Sequence, residues 1–280
     1  MLKVLAFATI LMTHSLSAQS DIVHYLLNIS IPKSQELLKI IGNPSKIEVP
    51  KKFHILVWNI LKGQRSGWIN DLDKMTHESE FIFLQEAKLN NEQLHYYNRV
   101  KDNYQWDMAQ SFSRGDNKAS SGVILGHKAK GLAPLVLRTD DTEPGINTPK
   151  TAVFNKFKIQ GSSELLCVVN IHAINFVRPK IFKNQILKIE KVLKNCLGPI
   201  LYAGDFNTWM ARKLEILEQS ASRLGLKAVT FKNDHRTKFT RWSPPFDHIF
   251  VRGIKVKASY VFGEITSSDH KPLSAYLEIL

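Results

Sequence analysis

The sequence has no long hydrophobic run beyond its amino terminus, no internal repeat and no low-complexity tract. After residue 20, no apolar run approaches the ~18 residues that a membrane-spanning helix needs, so such a helix is excluded there. The 44% hydrophobic and 22% charged residues are ordinary for a globular protein, and 280 residues supply one large core. The length allows one or two domains, and no feature of the sequence forces a split.

Cysteine is also scarce, with only Cys167 and Cys196 in the chain. Cys167 lies in the run LLCVVNIH, which is typical of a buried strand, and Cys196 follows a helical pattern. Neither context indicates a catalytic thiol. An exported protein would permit a disulfide, but pairing depends on geometry that a sequence does not supply. The sequence therefore leaves the pairing open.

Acidic residues are few: 25 Asp and Glu against 38 Lys and Arg give a formal net charge of +13. An excess of this size favours a polyanionic partner such as nucleic acid, a phosphorylated head group or an anionic surface. The alternative is a solvated basic surface that only aids solubility. Because the basic residues crowd into particular loops, we favour the binding role.

The first 20 residues have the pattern of a secretory signal peptide. A basic start is followed by an apolar run at residues 4–12 and by small polar residues up to position 20. Cleavage before Asp21, or alternatively after Ala18, would release an exported protein that is periplasmic or secreted. The other alternative is an uncleaved anchor.

Residues 21–51 form a lead-in to the main domain, which we place at residues 52–280. Apolar clusters at residues 22–27 and 37–41 predict one or two helices. We expect this lead-in to pack on the domain as an appendage.

Strand and helix patterns alternate through the rest of the chain. Apolar runs predict strands at residues 53–61, 81–87, 104–112, 122–127, 135–138, 151–159, 165–173, 200–203, 226–231, 248–251, 258–262 and 273–279. Apolar residues at helical spacing predict helices at residues 68–77, 90–100, 179–195 and 211–224. We therefore expect an α/β (α+β) fold: a four-layer sandwich in which two packed mixed β-sheets are flanked by helices.

Polar side chains follow the buried runs at the points where the strands end. In PILYAGDFNTW, Asp205 and Asn207 follow the run at residues 200–203, and their spacing on an extended chain points both the same way. The Asp can accept a proton from water and the Asn can donate to an anionic oxygen; the alternative is an Asx turn before the next helix. The other strand-end residues are Asn59, Glu86, His172, Asp247, Asp269 and His270. Ligands bind at this edge of open α/β sheets, so we expect one common site.

Six short motifs occur in order, and together they resemble the endonuclease/exonuclease/phosphatase superfamily, which includes deoxyribonuclease I, exonuclease III and the neutral sphingomyelinases. They are WNI (58–60), QE (85–86), NIH (170–172), GDFN (204–207), FDHIF (246–250) and SDHKPL (268–273). The segments WNILK, FLQEA, NIHAINF and GDFNTW are similar to a bacterial group of the superfamily whose members carry a hydrophobic amino terminus. The resemblance implies a deoxyribonuclease I-like fold and phosphoric ester hydrolysis with Mg²⁺, with Mn²⁺ as a substitute and Ca²⁺ as a candidate structural ion.

The resemblance also implies a metal site and a water-activating residue. Glu86 matches the family's principal metal ligand, with Asn59 beside it, and Asp269 matches a secondary carboxylate on the metal side. Oxygen ligands of this kind suit Mg²⁺. Asp205 matches the residue that orients or deprotonates the attacking water, and Asn207 matches the residue that holds the scissile phosphate and the metal.

Two histidines complete the implied catalytic set. His270 matches the histidine on the phosphate and Asp247 its carboxylate partner, an arrangement that favours the imidazolium form. An imidazolium can neutralise charge that develops on phosphate oxygens. His172 matches the second histidine of the deoxyribonuclease I branch.

Four residues are candidate substrate contacts. Asn175 and Arg178 follow His172 as comparable residues do in nuclease branches, and arginine suits bidentate phosphate binding. Arg241 lies in a basic, aromatic loop, and Trp209 could stack on an unpaired base. For each, the alternative is a solvated charge or a packing aromatic.

We expect a monomeric, exported, metal-dependent nuclease acting on DNA or RNA, with no stable protein partner. The alternative is a phosphoinositide phosphatase or a sphingomyelinase-type esterase that acts on membrane lipid head groups. Thr208 stands where the inositol phosphatases usually carry Arg, and His248 follows Asp247 in place of their Asp-Arg pair. Both departures favour the nuclease. A catalytically dead polyanion-binding protein is a third alternative, yet none of the site residues is missing.

Overall fold

The structure is a computed structural model that describes residues 24–25, 27–44, 46–100, 102–115 and 119–280. The described residues form four α-helices: α1 (Trp68–Thr76), α2 (Asn91–Arg99), α3 (Pro179–Leu193) and α4 (Ala211–Arg223). Short 3-10 turns cover Ser34–Glu36 and Leu61–Gly63. The strands are β1 (Ile29–Ser30), β2 (Leu38–Ile41), β3 (Glu48–Val49), β4 (Lys52–Asn59), β5 (Ser79–Lys88), β6 (Gln105–Arg114), β7 (Ala119–His127), β8 (Leu135–Arg138), β9 (Thr151–Ile159), β10 (Leu165–His172), β11 (Ile200–Asp205), β12 (Lys227–Ala228), β13 (Asp247–Arg252), β14 (Ile254–Val261) and β15 (Leu273–Ile279).

The strands form two mixed sheets. The eight-stranded sheet has the order β1-β6-β7-β5-β4-β15-β14, with β2 paired to β6. The seven-stranded sheet has the order β12-β13-β11-β10-β9-β3, with β8 paired to β9. Each sheet contains one central parallel pair, β4 with β5 and β10 with β11. The carboxyl ends of each pair therefore meet at one edge.

Apolar residues pack in three layers that hold the sheets and helices together. Between the sheets, Phe81 of β5 packs edge-on against Phe157 of β9, with ring centroids 5.0 Å apart. Phe182 of α3 packs on the outer face of the seven-stranded sheet, and Trp68 of α1 packs on the outer face of the other. The central strands are buried on both faces, which explains their continuous apolar runs. The predicted four-layer sandwich is confirmed.

The predicted helix at residues 37–41 is wrong. Leu38–Ile41 is strand β2, which pairs antiparallel with β6. Ile40 and Ile41 are β-branched and favour a strand, and pairing with β6 gives the segment backbone hydrogen bonds that outweigh its local pattern. Since β1 also pairs with β6, and β3 with β9, the lead-in contributes strands to both sheets.

Some sequence predictions fall outside the described residues. The predicted signal peptide at residues 1–20 lies there, as do residues 22, 23 and 26 of the predicted helix at residues 22–27, in which His24 and Tyr25 are helical. Within the described part of the chain, no helix combines the length and apolar character that crossing a membrane requires. The predicted strand at residues 226–231 is present only as Lys227–Ala228.

Cys167 and Cys196 form a disulfide, which the sequence left open. Cys167 lies on β10, and α3 brings the chain back so that Cys196 is beside that strand. Both residues are buried. The bond closes a loop between residues separated by 29 positions and ties the end of α3 to the sheet.

A buried amide network joins the two sheets close to their strand ends. Asn170 of β10 donates through Nδ2 to the carbonyl oxygens of Leu84 at 3.0 Å and Ile124 at 2.9 Å. Its Oδ1 accepts a hydrogen bond from Gln85 Nε2 at 2.7 Å. Buried polar groups need such partners. The network therefore fixes β10 against β5 and β7 immediately before the predicted site residues on those strands.

We expect Asn170→Leu to lower the free energy of unfolding by about 3 kcal/mol or more, because two buried carbonyls and the Gln85 amide lose a partner worth ~1–3 kcal/mol each. Urea unfolding followed by circular dichroism measures the loss. Asn98→Leu, at an exposed position of α2, is the matched control. A loss for Asn170→Leu that is no larger than the control's would show that the network does not align the sheets.

Candidate active site

The predicted site residues come together because strands of both sheets end at one edge. β4 ends at Asn59, beside the end of β5 where Glu86 lies. In the other sheet, His172 ends β10 and pairs in parallel register with Asp205, which ends β11. Asp205 in turn pairs antiparallel with Asp247, the first residue of β13. The parallel pairs β4–β5 and β10–β11, together with the antiparallel strand β13, thus bring these side chains to one edge.

The backbone at this edge is locally unusual. Glu86 has a φ of 52° and Asn207 a φ of 51°, and a positive φ on a residue other than glycine costs about 1–3 kcal/mol and clusters at functional sites. Glu86 lies where the register of β5 with β7 shifts, a bulge of the kind that re-aims a side chain. Gly204 has a φ of 142°, and a Cβ there would lie 2.1 Å from the carbonyl oxygen of Ile171. Only glycine fits at that position.

The Asp205 carboxylate is the centre of the site and is 1% exposed. Its Oδ2 accepts a hydrogen bond from Asn59 Nδ2 at 3.0 Å, and lies 3.5 Å from His172 Nε2 and 3.8 Å from His270 Nε2. Burial raises the pKa of Asp205. A carboxylate with a raised pKa is the better proton acceptor.

Asn207 is held by two hydrogen bonds within the same edge. Its backbone N–H donates to Asp205 Oδ1 at 2.9 Å, so the Asx turn considered as an alternative is present. The turn does not cap α4, which begins at Ala211 without a side-chain cap. Asn207 Nδ2 donates to the carbonyl oxygen of Ala173 at 2.9 Å. The turn therefore orients Asp205 and Asn207 within the site.

His270 carries a positive charge at neutral pH. Its Nδ1 donates to Asp247 Oδ2 at 2.8 Å, and its backbone carbonyl accepts from Trp58 Nε1 at 3.1 Å. Burial opposes the charge, but Asp247 and then Asp205 outweigh burial and raise the pKa of His270 to about 10. The imidazolium therefore points its second nitrogen at Asp205.

His172 is buried in the opposite charge state. Burial and the positive charge of Lys150 lower the pKa of His172 to about 4, against the attraction of Asp205 and Glu86. The two histidines lie at similar distances from Asp205. Only His270 has a second carboxylate on its other nitrogen, and that difference decides which histidine is charged.

Glu86 pairs with a lysine that the sequence analysis did not single out. Lys62 Nζ lies 2.5 Å from Glu86 Oε2. Burial raises the pKa of Glu86, but the positive charges of His172, Lys62 and Lys150 outweigh it and bring the pKa to about 2. His172 is neutral near pH 7, so the lysines carry this effect there. Glu86 is therefore charged under all ordinary conditions, as a metal ligand must be.

The donors at this edge fit a hard divalent cation. Glu86 supplies a charged carboxylate and Asn59 an amide oxygen at adjoining strand ends, and Mg²⁺ takes oxygen ligands of this kind. Asp247 Oδ1 is buried and has no hydrogen-bond partner among the described residues. Asp205, Asp247 and His270 carry ligand atoms that lie within 4.8 Å of one another.

The structure does not place Asp269 with this group. Asp269 is exposed, and its carboxylate accepts a hydrogen bond from Ser268 Oγ at 3.3 Å. Its charge acts on His270, the next residue, whose pKa it helps to raise. Among the described residues, Asp269 makes no contact with Glu86 or Asn59. Its role as a metal ligand therefore stays a prediction.

Two of the four predicted substrate contacts touch each other. Asn175 Oδ1 accepts hydrogen bonds from Trp209 Nε1 at 2.7 Å and from the backbone N–H of Phe176 at 2.8 Å. The Trp209 ring centroid lies 6.1 Å from that of Phe176 and 5.1 Å from that of Phe239. We call these three rings the aromatic face; Phe176 and Phe239 are 67% and 63% exposed.

The two predicted arginines are exposed near the aromatic face. Arg178 precedes the first residue of α3, and its guanidinium has no partner among the described residues. The Arg241 guanidinium lies 4.3 Å from the ring centroid of Trp242, which is itself 81% exposed. The structure shows no contact between either arginine and the Asp205 group.

Three residues of this region carried little or no signal in the sequence. Lys62 is the final residue of WNILK, so its neighbourhood was the available clue. Phe176 has a φ of 50° that turns its ring outward. Lys213 is fully buried, donates to the carbonyl oxygen of Ile174 at 3.3 Å and has a pKa that burial lowers to about 8. In the sequence, Lys213 is a lysine within a helical pattern, which gives no indication of its burial or its lowered pKa.

Known proteins share this fold. The human Nocturnin catalytic domain, in a structure with a bound sulfate anion, has a TM-score of 0.62 at 16% identity, over 87% of this chain and 98% of that domain. TDP2 of D. rerio, complexed with single strand DNA product, has a TM-score of 0.58 at 16% identity, over 81% of this chain and 99% of that one. A UPF0294 protein of Vibrio campbellii is 34% identical over 231 residues, which are 82% of this chain and 79% of the relative.

The four-layer, deoxyribonuclease I-like fold and the carboxylate–histidine site define a phosphoric ester hydrolase. The model of the Endonuclease/Exonuclease/phosphatase family matches residues 56–270, and the chain belongs to this family. Enzymes of the family generally depend on a divalent metal ion, which agrees with the oxygen donors of Glu86 and Asn59.

We expect an NMR titration of the imidazole of His270 to give a pKa near 10 in the intact protein. Asp247→Asn should lower that pKa by at least about 1 unit, because the charged partner at Nδ1 is lost. His95→Gln removes a histidine of α2 outside the site and assists the assignment. If the pKa of His270 were near 6.5 in both proteins, the buried ion pair would be absent in solution.

Proposed function

We propose that the protein is an exported, Mg²⁺-dependent phosphodiesterase that hydrolyses nucleic acid, DNA above all, with RNA as a further substrate. The observation that carries the proposal is the buried Asp205 carboxylate, which lies between a neutral and a charged histidine. Hydrolysis of a phosphate ester needs a proton acceptor and a positive charge that act on the same phosphate group. The net charge of +13 favours a polyanionic substrate.

In this proposal Asp205 accepts the proton of the attacking water. Asn59 fixes the accepting oxygen by its hydrogen bond. The water oxygen forms the new bond to phosphorus while the bond to the leaving ester oxygen breaks. The His270 imidazolium stabilises the charge that develops on the phosphate oxygens, and Asp247 keeps it protonated. His172 contributes a hydrogen bond without adding charge.

Glu86 and Asn59 would hold the divalent ion, with Asp269 as a further predicted ligand. When bound, the ion supplies Lewis-acid stabilisation of the charged phosphate. In the structure, Lys62 forms an ion pair with the Glu86 carboxylate. We therefore expect Lys62 to release that carboxylate, or to share it, when the ion binds.

The aromatic face supports a nucleic-acid substrate with unpaired bases. Trp209 follows Asn207 by two residues in the chain, and the rings of Phe176 and Phe239 lie next to it. Stacking of a base on such a ring is worth about 1–3 kcal/mol. Arg178 and Arg241 add exposed positive charge in the same part of the chain. The fold neighbour TDP2 was solved with single strand DNA product, which agrees with this substrate class.

We also propose that the protein acts in the periplasm or outside the cell. The pattern of residues 1–20 is that of a secretory signal peptide. The Cys167–Cys196 disulfide supports this location, since such bonds persist in oxidising compartments. We further propose that the protein acts as a monomer.

The test is a substrate panel for the protein that begins at Asp21. With Mg²⁺ present, we expect single-stranded DNA and RNA to be cleaved faster than a phosphoinositide or sphingomyelin. EDTA should abolish the cleavage, and Mg²⁺ or Mn²⁺ should restore it. Glu86→Gln should lose at least ~10²-fold in turnover, whereas Glu92→Gln, at an exposed position of α2, should not.

Three kinds of result would contradict the proposal. Faster turnover of either lipid than of any nucleic acid would make the protein a lipid phosphoesterase. Full activity in EDTA, or an unchanged rate for Glu86→Gln, would contradict the proposed metal site. Binding of nucleic acid without any hydrolysis would leave a polyanion-binding protein.

A further inference from the structure

A cavity of about 350 Å³ adjoins the candidate site, and most of the residues that line it have no role in the hydrolysis described above. Glu86 and His172 of the candidate site line this cavity. The other lining residues come from β1, the turn after β4, the end of β5, β6, β7 and the segment that leads into β9. The cavity thus adjoins the site at His172, whose Nε2 lies 3.5 Å from Asp205 Oδ2.

Basic side chains outnumber acidic ones in the lining of the cavity. Four basic and two acidic residues line the cavity: Lys62, Lys88, Arg114, Lys150, Glu86 and Glu143. Lys62 pairs with Glu86, and Lys150 lies 3.2 Å from Glu143. Within the described part of the chain, the Lys88 ammonium and the Arg114 guanidinium have no carboxylate partner. Two free cations in one cavity favour an anionic ligand such as a phosphate.

Beside these cations the cavity has an apolar wall. It includes Ile29 of β1, Phe112 of β6 and Ile146 of the segment before β9. Ile29 is in register with Arg114 on β6, so the lead-in strand places an apolar side chain next to the free cation. A ligand that satisfies both the cations and this wall has a phosphate at one end and a flat or apolar body beside it.

We propose that this cavity binds the terminal nucleotide of the substrate and that its unpaired cations, Lys88 and Arg114, hold a terminal phosphate. This rests on the proposed nuclease function and adds that the enzyme acts at phosphorylated ends. The scissile phosphate lies at Asp205 and His270, and the next phosphate along the chain reaches the cavity. The volume is at the lower end of the ~300–1,000 Å³ typical of small-ligand sites, which suits one nucleotide.

The apolar wall distinguishes a nucleotide from the lipid alternative. An inositol polyphosphate head group is polar on every side, so it would leave Ile29, Phe112 and Ile146 without a partner. A nucleotide places its base against these side chains and its phosphate on the cations. Asn175 accepts from Trp209 of the aromatic face and donates through its backbone N–H to Glu143 of the cavity lining at 2.8 Å, so the following bases of the strand would stack on rings next to the cavity.

The first test compares linear and circular single-stranded DNA of one sequence. Linear oligonucleotides carry a 5′-phosphate, a 3′-phosphate or only hydroxyl ends. We expect one of the phosphorylated ends to raise kcat/KM by roughly tenfold or more over the hydroxyl ends, since a charge-assisted contact is worth that factor. The circle should be cut at least about tenfold more slowly. Equal rates for the circle and for all linear substrates would overturn the proposal.

The second test measures binding without turnover. Isothermal titration of the Asp205→Asn protein with adenosine 3′,5′-bisphosphate should give an affinity at least about tenfold higher than with adenosine monophosphate. Lys88→Ala and Arg114→Ala should each remove most of that difference. Lys191→Ala, at an exposed position of α3, removes the same charge and should keep it.

The two tests separate this proposal from the proposed function. If no nucleic acid is hydrolysed but the bisphosphate preference depends on Lys88 and Arg114, the nuclease function fails and the phosphate-binding cavity stands. If nucleic acid is hydrolysed without an end preference, or the bisphosphate preference survives both substitutions, the cavity proposal fails. Tighter binding of inositol trisphosphate than of the bisphosphate would also overturn it.

Discussion

Two separate β-sheets have to end at the same edge for this site to exist, and the buried amide of Asn170 aligns them there. It bridges β10 to the carbonyls of β5 and β7 and accepts from Gln85, one residue before Glu86. The bulge that turns Glu86 into the site lies between the strands that Asn170 contacts. A lost bridge would therefore cost stability and would also shift Glu86, the proposed metal ligand, relative to the Asp205 carboxylate.

Burial makes the side chains at this edge chemically different from one another. His172 and His270 both approach Asp205, yet one has a pKa lowered to about 4 and the other a pKa raised to about 10. The difference comes from Asp247, which faces only His270. Because a low-dielectric site strengthens each of these charges, three carboxylates and two histidines provide a proton acceptor, a fixed positive charge and a neutral hydrogen-bonding group.

The sequence predicted the central elements well because their signals are local. The apolar run before Asp205 needs two buried faces, so strand β11 followed directly from the sequence. The helix predicted around Leu38–Ile41 was wrong because the strand partner of this segment, β6, is distant in the chain. The Lys62–Glu86 ion pair, the Cys167–Cys196 disulfide and the cavity lined by β1, β6 and β7 likewise depend on contacts between distant segments, which no local pattern encodes.

The central claim is that Asp205 is the proton acceptor of a phosphodiester hydrolysis. Turnover of single-stranded DNA by Asp205→Asn measures this most directly, because Asn has nearly the same shape but cannot take the proton. We predict a loss of ~10² to 10⁴ in kcat, with an unchanged circular dichroism spectrum and the same thermal midpoint within a few degrees. Turnover within about threefold of the unmodified protein would contradict the account, because a general base contributes far more than that.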